Sequence, residues 1–288
     1  MTKIYVFPGQ GSQAKGMARD LFARFPHLVR QADEQLGYSL KTLCLEDPGN
    51  QLRLTQFTQP ALYVVNALMY LHKRDAEGRL PDAVAGHSLG EYNALFAAGA
   101  FDFMTGLKLV QRRGLLMSRV SNGGMLAVVG LPPARVLEVL ERSSRGSIDV
   151  ANYNSHEQTV LAGPLEDLTA VGPAFEAAGA RAVVPLNVSA PFHSRYMQEA
   201  AREFADFVSG FSFSKPRLPV ISNRHARPYP AGEIAQLLVE QISSPVRWLE
   251  SVEYLSTLPE AGFEEVGPGE VLSRLVKQIQ RHAPARKN

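Results

Sequence analysis

The chain has 288 residues, 45% hydrophobic and 20% charged, and its 30 basic against 28 acidic side chains leave a formal charge of +2. That length suits about two compact units with a sizeable core. The small charge argues against nucleic acid or a membrane surface as a partner, although a local basic patch can still dock an acidic protein. The single cysteine, Cys44, cannot form an internal disulfide or a cysteine metal cluster. It reads as a small buried hydrophobe in a reducing, cytoplasmic setting.

No apolar run approaches the ~18 residues of a membrane span. Residues Met1 to Phe7 are ended too soon by Pro8-Gly9 for a signal peptide, and they read as a first strand. A helical pattern follows Gln13 through Phe25, and further helices cover Leu28 to Leu36 and Pro60 to Lys73. The short apolar run Val84-Ala85 leads into Gly86-His87-Ser88-Leu89-Gly90 and a helix from Glu91 to Ala98. Asp102 opens a long helix to about Val120, and Ser121-Asn122-Gly123-Gly124 breaks it.

Beyond that break the rhythm changes. Met125 to Leu131 is a strand, Pro132-Pro133 starts a helix to Ser143, and Ile148 to Tyr153 and Gln158 to Ala162 are strands. A helix over Leu165 to Ala178, closed by Gly179, and a strand over Arg181 to Val188 complete the order βαββαβ. That is the ferredoxin-like, split-βαβ arrangement, expected as an insert over 123–189. Alternation then resumes: helix Arg195 to Val208, strand Leu218 to Ser222, helix Ala231 to Ile242, strand Phe263 to Val266 and helix Glu270 to Gln280. Residues Arg281 to Asn288 read as a frayed polar tail. An α/β main body over 1–122 and 190–288, with a mostly parallel sheet covered by helices, is expected.

The chemistry centres on Ser88. Glycines at 86 and 90, after a strand and before a helix, form the G-x-S-x-G nucleophile elbow. The helix start aims free N–H groups at the point where an oxyanion develops. Ser88 with Glu91 also spells a capping box, which needs no chemistry. Of the seven histidines, His193 is the candidate base, because it sits where the chain leaves the insert for the main body. His87 adjoins Ser88 but points elsewhere and can orient the loop. His27, His72, His156, His225 and His282 read as structural or solvated. No carboxylate between Ser88 and His193 is placed as a third member: Asp102, Asp149 and Asp167 each suit a cap or an exposed turn, and a main-chain carbonyl is the alternative.

Arg113 shares a helical stripe with Leu109, Leu116 and Met117, where it either grips a substrate carboxylate or snorkels beside Lys108 and Arg112. Gly9-Gln10-Gly11-Ser12-Gln13-Ala14 matches G-x-G-x-x-A, with Asp33-Glu34 downstream, the signature of a Rossmann nucleotide site. The acidic pair falls within a helix, however, where that site needs the end of a strand. The same loop can instead offer backbone N–H groups to an oxyanion. No metal-ligand spacing is present.

Seven stretches spread along the chain resemble, in the same order, the malonyl-CoA:acyl carrier protein acyltransferase family. They are Phe7-Pro8-Gly9-Gln10-Gly11-Ser12-Gln13, Gly86-His87-Ser88-Leu89-Gly90-Glu91, Gln111-Arg112-Arg113-Gly114, Ala151-Asn152-Tyr153-Asn154, Ala190-Pro191-Phe192-His193, Ser244-Pro245-Val246-Arg247-Trp248 and Glu265-Val266-Gly267-Pro268-Gly269. Among discrete members the chain is most similar to the trans-acting acyltransferases that serve polyketide synthases, the disorazole-synthase type being one candidate. The fatty-acid enzyme is the nearer alternative, and a serine thioesterase or acyl hydrolase a further one.

The resemblance implies an α/β-hydrolase-like main subdomain and the ferredoxin-like insert. It implies Ser88 as nucleophile, His193 as base and acid, Gln10 and Leu89 as oxyanion-hole donors, and Arg113 as the malonyl carboxylate ligand. Met117, His87 and Phe192 would border the substrate, and the Gln241 carbonyl would orient the histidine. Phe192 stands where many discrete members carry serine, and it fits a small unbranched extender. Malonyl-CoA and a phosphopantetheinylated carrier protein would be the substrates, with no resident cofactor or metal, and a monomer would suffice.

Overall fold

The computed structural model describes residues 1–188 and 190–282. Ser189, at the expected lobe boundary, and most of the expected polar tail lie outside the described residues. From β1 (Thr2–Phe7) the chain passes through turns to α1 (Leu21–Arg24), α2 (Pro26–Leu36), α3 (Leu40–Leu45) and the long α4 (Thr55–Glu77). Then come β2 (Ala83–Gly86), α5 (Gly90–Ala97) and α6 (Phe103–Ser118). A second group follows: β3 (Gly124–Val129), α7 (Pro133–Arg142), β4 (Asp149–Ser155), β5 (Gln158–Gly163), α8 (Leu165–Ala177) and β6 (Ala182–Pro185). The chain returns through α9 (Gln198–Val208), β7 (Val220–Ile221), α10 (Ile234–Ile242), α11 (Trp248–Ser256), β8 (Ala261–Glu265) and α12 (Val271–His282).

Two sheets result. The first has the order β7-β2-β1-β8, every pair parallel, as the alternation of strands and helices requires. Its central strand β1 is buried on both faces. Tyr5 and Phe7 join a core built with α2, α4, α5, α6 and α9, whereas Ile4 and Val6 face Trp248, Val252 and Leu255 of α11 and Leu272 and Val276 of α12. The second sheet, β4-β5-β3-β6, is antiparallel, with α7 and α8 packed on it through Val136, Val139, Leu168, Val171 and Phe175. Its strand order is that of the ferredoxin-like arrangement.

The differences from expectation are local. The helix expected from Gln13 to Phe25 shrinks to α1, because Gly16 and Ala18 take positive φ (90° and 58°), which a right-handed helix excludes. α4 starts five residues ahead of Pro60 and carries that proline inside, losing one N–H···O bond there. The strand expected to reach Val188 ends at Pro185, and α11 has no counterpart among the expected elements. Its sequence, Trp248 to Ser256, lacks a capping side chain, and the face it buries is legible only once β1 and β2 are in place.

Candidate active site

β2 delivers the chain to a turn so tight that only glycine fits on either side. A Cβ on Gly86 would lie 1.9 Å from the Gly90 carbonyl carbon, and one on Gly90 would lie 1.9 Å from the Phe7 oxygen. Between them Ser88 adopts φ +52°, a strained backbone that lifts its side chain clear of the sheet. Its N–H donates to Asn223 Oδ1 at 2.7 Å rather than to Glu91, so the capping-box alternative falls away.

His193 sits on the return from the smaller lobe, also at positive φ (58°), and its Nε2 lies 2.7 Å from Ser88 Oγ. Its Nδ1 lies 2.9 Å from the main-chain oxygen of Gln241. A carbonyl only accepts, so Nδ1 carries the proton and Nε2 presents its lone pair to the serine hydroxyl. Burial, then the Arg113 charge, push the imidazole down to about 3, which keeps it neutral and ready to accept a proton. The three aspartates serve elsewhere: Asp102 caps α6 through Thr105 N–H at 2.7 Å, Asp149 pairs with Arg195, and Asp167 binds Arg145 and Ser147.

Arg113 projects from α6 into the same spot and is 1% exposed, which discards the snorkelling alternative. Its guanidinium donates to Gln59 Oε1 at 2.6 Å, Gln241 Oε1 at 2.8 Å and Ser88 Oγ at 3.1 Å. Among the described residues it forms no ion pair, and its Nε has no hydrogen-bond partner. A buried cation whose direct hydrogen-bond partners are all neutral, with Glu91 acting on it only through space, can receive an incoming carboxylate.

The loop after β1 closes the other side. A Cβ on Gly9 would meet His87 O at 2.4 Å, so Gly9 lets this loop lie flat against the elbow. Gln10 and Leu89 both line the cavity, and neither amide donates a hydrogen bond among the described residues. The Gln10 side chain is held by Thr55, which also takes a bond from Gln59, the partner of Arg113. The Rossmann alternative has no geometry behind it. No helix of useful length follows the glycines, and Asp33 lies inside α2, where it accepts Leu40 N–H.

These residues enclose a cavity of about 100 Å³ lined by Gln10, Gln59, His87, Ser88, Leu89, Arg113, Met117, Met125, Asn152, Leu186, Val188, Phe192 and His193. Every sequence-derived site residue reaches it except Gln241, which lies directly beneath. His87 bonds Asn154 of β4 at 2.8 Å and stacks edge-on against Trp248, tying the elbow to the smaller lobe. Of the other histidines, none lines the cavity. No group of three His, Cys, Asp or Glu side chains is placed to hold a metal among the described residues.

Sequence reasoning missed Gln59, Asn223, Tyr229 and the placement of Glu91. Glu91 is fully buried and accepts from Asn223 N–H, Tyr229 Oη and Gln241 Nε2; burial raises its carboxyl to about 7. Asn223 carried one usable signal, a polar residue just past the carboxyl end of a parallel strand, where such sheets bind ligands. Gln59, inside a helix, carried none.

The acyl transferase domain family matches residues 4–286. The polyketide biosynthesis malonyl CoA-acyl carrier protein transacylase BaeC of Bacillus velezensis is 54% identical over 98% of both chains. The crystal structure of a malonyl CoA-acyl carrier protein transacylase from Burkholderia pseudomallei superposes with a TM-score of 0.96 at 47% identity, covering 99% of this chain and 100% of that one. A type II PKS acyl-carrier protein in complex with its malonyl-transacylase gives a TM-score of 0.93 at 37% identity, over 98% and 94% of the two chains. No helix among the described residues is long and apolar enough to cross a membrane. With a matched span that takes in both sheets and every residue of the cavity, the chain belongs to the acyl transferase domain family.

Proposed function

We propose that this chain transfers a malonyl group from malonyl-CoA to the phosphopantetheine thiol of an acyl carrier protein, supplying extender units in trans to a polyketide synthase. The observation that carries the reading is the Ser88–His193 contact of 2.7 Å beside a buried arginine that forms no ion pair among the described residues. His193 Nε2 takes the Ser88 proton as Oγ bonds to the thioester carbonyl carbon, and the Gln10 and Leu89 N–H groups receive the oxyanion. The C–S bond breaks, CoA sulfur takes the proton back from His193, and malonyl-Ser88 remains. The carrier thiol then attacks that ester, its proton passing through His193 to Ser88. Arg113 holds the free carboxylate in both halves, and the Gln241 carbonyl holds the imidazole. The scheme draws on the chain's own groups alone.

The polyketide assignment follows the BaeC likeness, and the carrier-protein partner follows the complex of a similar enzyme. Among the described residues, strands β3 to β6 pair only with one another apart from the bridge Asn152↔Val246, which supports lobes divided at 122/123 and 189/190. One chain supplies every group used, which supports a monomer as the working unit, and the lone cysteine suits a cytoplasmic enzyme.

Intact-mass measurement after mixing with malonyl-CoA tests the chemistry: one malonyl adduct is expected, absent in Ser88→Ala. An adduct that survives Ser88→Ala refutes the scheme. Transfer to carrier domains of several synthases, disorazole synthase included, beside a fatty-acid carrier protein decides the pathway. Free malonate released equally fast without carrier identifies a hydrolase instead.

A further inference from the structure

Glu91 follows Ser88 by three positions, in the first turn of α5, and is 0% exposed, yet the scheme above gives it no part. Its Oε1 accepts the Asn223 N–H at 3.0 Å and the Tyr229 hydroxyl at 2.5 Å, and its Oε2 accepts from Gln241 Nε2 at 2.5 Å. Two of these partners lead straight back to the reacting groups. Asn223 Oδ1 holds the Ser88 N–H, while its Nδ2 donates to the Gly86 oxygen at 2.6 Å. Gln241 donates to the Ser88 carbonyl at 2.8 Å, accepts from Arg113, and offers its main-chain oxygen to His193.

We propose that Glu91 is a positioning residue for acyl transfer: through Asn223 and Gln241 it fixes the Ser88 backbone, the His193 imidazole and the Arg113 guanidinium in one register. It rests on the proposed function only for which acyl group is moved, since a serine aligned with its histidine is required by any acyl transfer at this site.

The chemistry of the donors makes the requirement strict. The Asn223 N–H can only donate, and Arg113 can only donate, so Gln241 must turn Oε1 to Arg113 and its NH₂ to Glu91. Glu91 must therefore offer an acceptor on both oxygens at once. An amide of the same shape cannot. Glu91→Gln sets an NH₂ against Asn223 or Gln241, or forces Gln241 to turn its own NH₂ onto Arg113. Either way a buried donor faces a donor. The shorter carboxylate of Glu91→Asp keeps acceptor oxygens for these donors and leaves the Gln241 bond to the Ser88 carbonyl intact. The main-chain oxygen at position 241 is unchanged by either substitution.

The test reads Ser88 reactivity with a fluorophosphonate, which needs the serine–histidine alignment but not the Arg113–carboxylate contact. Glu91→Gln is expected to slow labelling by about tenfold or more with unchanged circular dichroism, since small misplacements at a reacting centre cost factors of that order. Malonyl loading should lose rate far more than it raises KM. Glu91→Asp is expected to label about threefold or more faster than Glu91→Gln, with malonyl loading recovering alongside. Labelling of Glu91→Gln at the wild-type rate overturns the proposal, and so does a Glu91→Asp variant that labels no faster than Glu91→Gln. Should Glu91→Gln fail to fold, Glu91→Asp decides: labelling slower than wild type supports the proposal, and labelling at the wild-type rate overturns it. Wild type that takes fluorophosphonate but no malonyl refutes the proposed function and leaves the Glu91 result standing.

Discussion

Arg113→Met removes the guanidinium while filling most of its volume, so the small cavity stays closed. The side chain is 1% exposed and donates to Gln59, Gln241 and Ser88 with no carboxylate in ion-pair range among the described residues. A malonyl carboxylate arriving there forms charge-assisted bonds worth about 1.5–3 kcal/mol each. Part of this is offset by stripping water from the carboxylate. A net of about 2–4 kcal/mol is reasonable, or about 30- to 900-fold in the malonyl-to-acetyl ratio. The assay is competition between malonyl-CoA and acetyl-CoA for loading onto Ser88, read by intact mass. Acetyl loading should hold or rise, because an acetyl group leaves the wild-type cation without its anion. A second readout is independent of substrate. Arg113 is, after burial, the main cause of the depressed imidazole, so the His193 titration followed by NMR should move up from about 3. An unchanged malonyl-to-acetyl ratio, or an imidazole that does not move, refutes the reasoning.

Two further expectations concern neighbouring groups. His193 titrates at about 3 when folded against an ordinary 6.5, so the unfolded chain binds more protons between those values and stability falls as pH drops through them. From pH 6.5 to 5 the loss is about 2 kcal/mol, at ~1.4 kcal/mol per pH unit. Glu91, raised to about 7 from 4.5, acts in the opposite sense, losing stability as pH rises across its own window. The stability difference between wild type and His193→Ala, from urea melts at several pH values, should therefore shift by that amount; a constant difference contradicts a buried neutral imidazole. Phe192→Ala opens the cavity beside Met117, Leu186 and Val188. The methylmalonyl-to-malonyl loading ratio should rise about tenfold or more, and an unaltered ratio means that the ring does not bound the acyl group.

How much of this was written in the chain depends on whether a feature is local. The elbow could be read because two glycines bracket Ser88 at fixed spacing, and the structure gives each a backbone neighbour that leaves no room for a Cβ. The smaller lobe could be read because strand and helix periods alternate over short runs, most of them closed by Gly or Pro. Where backbone conformation overrode periodicity, as at Gly16 and Ala18, the reading of 13–25 as one helix failed.

Convergence was decided only by tertiary structure. Arg113 shares a stripe with leucines, and a stripe at helical spacing looks the same whether it faces core or pocket; only the fold puts its side chain in the cavity lining. Gln59, Asn223 and Gln241 come from α4, the loop after β7 and α10, and they meet beneath Ser88 because the parallel sheet stacks those elements against α5 and α6. Long-range hydrogen bonds carry no periodic signature. A polar residue on a helix announces its partner only when the fold has buried it, since an unmet donor or acceptor is costly in the interior and free in water.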